Sequence, residues 1–155
     1  MYKRQVEAYV NYSSFNKFSR IFEFADSEND NNVQVRIRAL LFSRFYARIC
    51  TYFRLSVTIP AQLCNLDVTG KSNFGICSDT ATWTSLYSPS WHFWETSTWL
   101  HVVVSVNETG FMKMYRNGNL SSSSQGQVPN SVTRNYHYIG KSTYSGWSNF
   151  HGTIG

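Results

Sequence analysis

Trp99-Leu100-His101-Val102-Val103-Val104-Ser105-Val106 is the stretch that decides the fold class. It is β-branched and apolar at almost every position, so it reads as a central strand covered on both faces, with Trp99 in the core. Asn107-Glu108-Thr109-Gly110 turns the chain and Phe111-Met112-Lys113-Met114-Tyr115 returns it. Asn117-Gly118 then marks a tight hairpin, because both of its residues tolerate the positive φ that such a turn requires. Strand follows strand with no helix between, which is the rhythm of an antiparallel sheet.

The same reading extends in both directions. Upstream, Val6-Glu7-Ala8-Tyr9-Val10 alternates apolar and polar residues as a half-buried strand does. Ser19 to Phe24 forms a second strand, and Val33 to Arg38 alternates to give a third. Between them Asp26 to Asn32 is a polar loop rich in side-chain oxygens. Ala81 to Glu95 reads as a packed, aromatic-rich loop and Ser121 to Asn130 as a low-complexity loop. Downstream, Tyr136 to Gly140 and Phe150 to Ile154 are further strands. Ala39 to Asn73 mixes a partial helical stripe with strand-like Val57-Thr58-Ile59 before Pro60, and supports no assignment. Many short strands with turn signals and no internal repeat predict a single all-β, antiparallel β-sandwich over residues 1–155.

Composition narrows the function classes. Apolar residues make up 42 % of the 155 and charged residues 15 %, which excludes a disordered chain. The net charge of +5 has one source: Arg36, Arg38, Arg44, Arg48 and Arg54 lie together without an acid, and the other nine basic residues balance nine acidic ones. A charge island of this kind, with no recognised nucleic-acid module beside it, does not predict a nucleic-acid partner. The arginines also interrupt the one long apolar stretch, so no membrane span is expected. The segment before the first strand does not read as a secretory leader, so none is expected there. The three cysteines, Cys50, Cys64 and Cys77, allow at most one internal disulfide. Sequons at Asn11, Asn107 and Asn119 suit a secreted surface.

Taken in order, these segments resemble the laminin G-like jelly rolls, part of the concanavalin A-like lectin and glucanase group that includes the pentraxins. Val6 to Val10 resembles the family's E-A-W-V strand, with Tyr9 in place of Trp. Ser14 to Phe24 is similar to its sRIFdFg stretch. Trp99, His101, Val102 and Val104 match the W-x-H-V strand, and Gly110, Met112, Tyr115, Asn117 and Gly118 match the hairpin after it. Ile139 to Ser142 and Phe150 to Ile154 match the iGrS and F-x-G-x-I segments. The resemblance implies a jelly-roll fold and a non-catalytic module of an extracellular or cell-surface protein, recognising a glycan or a protein ligand. It also implies one more strand before Val6 and a continuation past Ile154, so the chain is expected to be cut at both ends. Residues 39–73 have no counterpart and read as an insert.

Two other functions compete with binding. A glycoside hydrolase of this fold would need paired carboxylates held apart by a fixed distance. The nearest acids, Glu23, Asp26 and Glu28, run from a strand into a loop, and an offset of three sends Glu23 and Asp26 to opposite faces. A structural spacer would need no site at all. For a binding module the natural platforms are aromatic rings in loops, since rings stack on the apolar faces of sugars. Trp91, Trp94, Tyr144 and Trp147 are the candidates. The Asp26-Ser27-Glu28-Asn29-Asp30 loop supplies oxygens at calcium-ligand spacing, making Asp26, Glu28 and Asp30 the candidate Ca²⁺ ligands, although the same composition also builds plain turns.

Overall fold

The computed structural model describes residues 4–25, 61–65, 70–77, 83–89, 92–129, 136–142 and 146–155. The strands, in chain order, are β1 (Arg4–Tyr12), β2 (Arg20–Ala25), β3 (Ala61–Asn65), β4 (Ser72–Cys77), β5 (Trp83–Tyr87), β6 (Trp99–Val106), β7 (Phe111–Arg116), β8 (Asn119–Gln125), β9 (Tyr136–Ile139) and β10 (Gly152–Ile154). Among the described residues they form two five-stranded sheets, ordered β10-β1-β6-β7-β8 and β5-β4-β3-β2-β9, with every ladder between them antiparallel. The expected all-β sandwich is the fold observed.

Period-two alternation builds the first sheet's inner face. Val10 and Tyr12 of β1, Leu100, Val102, Val104 and Val106 of β6, and Met112 and Met114 of β7 are all buried in one cluster. The second sheet contributes Phe22, Leu63, Phe74, Ile76 and Leu86 to the same core. The Asn117-Gly118 turn takes φ of 50° and 79°, as the hairpin signal predicted.

β6 does lie at the centre of its sheet, but its expected double coverage is wrong. Its burial alternates strictly, and the outward residues His101, Val103 and Ser105 remain only partly covered. Trp99 is on that outward row and is 52 % exposed, so the expectation that it belongs to the core is corrected. Parity decides this: Trp99 is an odd step from Leu100, and Leu100 faces the core.

Two loop assignments change, and part of the unassigned stretch takes a structure. Ser121 to Gln125 is the body of β8, paired with β7 so that Ser124 and Ser122 stand opposite Met112 and Met114. The hairpin starts the pairing, a β-bulge at Ser121 shifts it by one residue, and pairing outweighs the low strand preference of serine. Trp83 to Tyr87, placed within a packed loop, forms β5. Its Trp83 ring lies over Gly75 so closely that a Cβ there would stand 2.3 Å from the indole. Ala61 to Asn65, inside the stretch that supported no assignment, is β3. The predicted strand Val33 to Arg38 and the arginine island lie outside the described residues.

The ladder also constrains the cysteines. Cys64 pairs with Asn73, whereas Cys77 lies four residues further along β4, opposite Trp83. That offset is about 13 Å along the strand. A disulfide needs Cα atoms within about 7 Å, so this register holds the Cys64 and Cys77 backbones too far apart for one.

Candidate functional site

Two of the nominated aromatics, Trp94 and Trp147, fall among the described residues. Trp94 is 1 % exposed and packs edge-on against Tyr12 and Phe93, with ring centroids 5.3 and 4.8 Å away. Its backbone N–H donates to the Gly70 carbonyl at 2.9 Å, and Arg116 ties the adjoining loop by donating to the Phe93 carbonyl at 2.8 Å and pairing with Glu95. Trp94 is therefore core and offers no ring face to a ligand.

Trp147 is half-buried and serves as a lid over charge. The Arg20 guanidinium sits 3.9 Å from its ring centroid, and Phe18 packs on the same indole at 5.3 Å. Beneath it, Arg20 Nε donates to Glu23 Oε2 at 3.1 Å, Arg20 Nη1 donates to the Phe18 carbonyl at 2.9 Å, and Ser142 Oγ donates to Glu23 Oε2 at 2.9 Å. A β-bulge at Ile21 makes this possible. Two steps on β2, from Arg20 to Phe22, match one step on β3, from Cys64 to Leu63, so Arg20 and Glu23 share a face despite their spacing of three. Glu23, the strand acid nominated for hydrolysis, is fully buried in this pair. Trp91 and Tyr144, like Asp26, Glu28 and Asp30, lie outside the described residues. Among the described residues no three His, Cys, Asp or Glu side chains are grouped to hold a metal ion.

The arrangement that does assemble lies on the outer face of the first sheet. Register places Tyr9 opposite His101, Asn11 opposite Trp99 and Glu7 opposite Val103. The Tyr9 and His101 rings stack at 4.7 Å with planes 28° apart. His101 Nε2 meets Glu7 Oε1 at 2.6 Å, on side chains that are 25 % and 51 % exposed. Trp99 lies diagonally beside this pair, and a Cβ on Gly155, whose backbone is hydrogen-bonded to Tyr9, would stand 3.7 Å from its indole. Tyr9, like Trp99, is 52 % exposed. On the far side Tyr115 of β7 stands opposite Val103.

These neighbours give the face its chemistry. Two large rings, each about half exposed, present apolar surface to water on the outer face of the sheet. Beside them a carboxylate and an imidazole, hydrogen-bonded to each other, present polar edges. The signal was present in the sequence as Glu7, Tyr9, Trp99 and His101, all at odd positions of two strands. The pairing of strands ninety residues apart was what brought them together.

No helix among the described residues is long and apolar enough to cross a membrane. No curated protein matches the sequence. A crystal structure of an HCR/D mutant superposes with a TM-score of 0.50 at 17 % identity, over 86 % of this chain and 27 % of that one, which is a likeness of fold. The two facing antiparallel sheets agree with a match of residues 6–155 to the laminin G model of the concanavalin A-like lectin/glucanases superfamily, and the chain belongs to that superfamily.

Proposed function

We propose that this chain is a non-catalytic, glycan-binding module of an extracellular or cell-surface protein, and that the ligand lies across Tyr9, Trp99, His101 and Glu7. The observation that carries the reading is the pair of exposed rings flanking a hydrogen-bonded carboxylate and imidazole. A pyranose has an apolar C–H face, which suits the Trp99 indole, and hydroxyls at its edge, which suit Glu7 as acceptor and His101 as partner. Bonds to an ionised carboxylate are the stronger kind, so Glu7 orients what the rings attract. Glu7 stands opposite Val103, with Gln5 and Tyr9 two residues away on its own strand, and a hydrolase would need a second acid at fixed separation.

A glycan array probed with the folded chain tests this. Trp99→Ala is expected to weaken the best signal about tenfold or more, as truncation of a central aromatic anchor does. Leu120→Ser, on exposed β8, is expected to leave it unchanged. Binding that survives both Trp99→Ala and Tyr9→Ala would remove the site. Release of reducing sugar from any bound polysaccharide would replace the module with an enzyme.

A further inference from the structure

Of the three Asn-x-Ser/Thr sequences, the β6–β7 turn Asn107-Glu108-Thr109 alone folds back on its own side chain. Asn107 Oδ1 accepts from the Thr109 backbone N–H at 3.0 Å, from Thr109 Oγ1 at 2.9 Å and from the Phe111 N–H at 2.8 Å. A backbone N–H can only donate, so the atom at the focus of these contacts is the amide oxygen. The amide nitrogen Nδ2 therefore points the other way, and among the described residues nothing binds it. Glu108 and Thr109 beside it are exposed.

The other two sequons are held differently. Asn11 sits within β1 between two ladders, opposite Trp99 on one side and Thr153 on the other. Asn119 begins β8, and its own Nδ2 donates to the Asn117 carbonyl at 3.4 Å. Ser13 lies in a bend past the end of β1 and Ser121 at the β7–β8 register shift, and neither makes the hydroxyl-to-amide bond that Thr109 makes. That bond and its companions span five residues only, from Asn107 to Phe111, so they can form before the sandwich does.

We infer that Asn107 is the residue of this chain that carries an N-linked glycan in the secretory pathway; the inference rests on the extracellular part of the function proposed above. In the transfer, Nδ2 attacks the anomeric carbon of an oligosaccharide activated as a lipid pyrophosphate. A C–N bond forms, the C–O bond to pyrophosphate breaks, and the Nδ2 proton passes to a base of the transferase. The Thr109 hydroxyl holds Oδ1 while Nδ2 faces the donor. β6 is eight residues long, so Asn107 lies about 25 Å from Trp99, and the glycan leaves the ligand face open. A glycan on Asn11 would instead cover Trp99.

The full chain, directed into the secretory pathway of a eukaryotic cell by an added leader, tests the inference. The total cellular pool is treated with peptide N-glycosidase in heavy-oxygen water, so that retention does not hide the result. Expected is labelled conversion to Asp at Asn107, at higher occupancy than at Asn11 or Asn119. Asn107→Asp keeps an oxygen to hold the turn but has no Nδ2, and is expected to lose that glycan and remain folded by circular dichroism. Thr109→Ser should keep it and Thr109→Val should lose it. An unconverted Asn107, or occupancy mainly at Asn11 or Asn119, overturns the inference. Because the leader is supplied, these outcomes do not depend on where the natural protein resides. Array binding by unglycosylated chain from bacteria tests the ligand face separately.

Discussion

Arg20 and Glu23 form an ion pair with no solvent-exposed side-chain surface, covered by Trp147 and anchored by Ser142. Removing one partner strands the other charge in a medium that solvates it poorly. Glu23→Gln is therefore expected to cost about 3–5 kcal/mol, read as a lowered urea midpoint. Replacing both, as in Arg20→Met with Glu23→Leu, should cost less than the single change, because no buried charge is left. Trp94 and Trp99 make a second contrast. Trp94→Ala opens a core cavity and is expected to cost about 3–5 kcal/mol. Trp99→Ala changes an exposed residue and should cost under about 1 kcal/mol, so its effect on binding can be read in a folded protein.

Turns and register carry the next level. Gly110 and Gly118 both take φ near +80°, at 83° and 79°. A Cβ on Gly118 would meet nothing within 4 Å, whereas on Gly110 it would press at 2.9 Å on the backbone of Gln127 and Gly126. Gly118→Ala is expected to cost about 1 kcal/mol for its conformation alone. Gly110→Ala pays the same strain and must also displace backbone, so thermal denaturation should show a loss at least twice as large. The β3–β4 ladder makes a third claim at this scale. A non-reducing peptide map should contain no Cys64–Cys77 cross-link, and finding one would mean that the register is different.

Across the whole molecule the pairings are long-range: β1 lies between β6 and β10, and β2 lies between β3 and β9. Each must close a large loop before its contacts stabilise it, so stopped-flow tryptophan fluorescence should show refolding in milliseconds to seconds, not microseconds. That same non-locality separates what could be read in the chain from what could not. Alternation in Val6 to Val10, the apolar run Leu100 to Val106 and the Asn117-Gly118 turn are local signals. They determined strands, a hairpin and hence an antiparallel sandwich, because strand geometry has a two-residue period and turns depend on a few φ values. Which face of β6 meets the core is a matter of parity against partners elsewhere, and Trp99, judged by its own neighbours, was placed on the wrong side. Loop aromatics such as Trp94 and Trp147 were nominated as platforms, yet one fills the core and the other shields an ion pair that exists only because of a bulge. The Glu7, Tyr9, Trp99 and His101 face belongs to no segment of the sequence. It was decided when β1 and β6 paired, since only the ladder sets side chains ninety residues apart about 5 Å from one another.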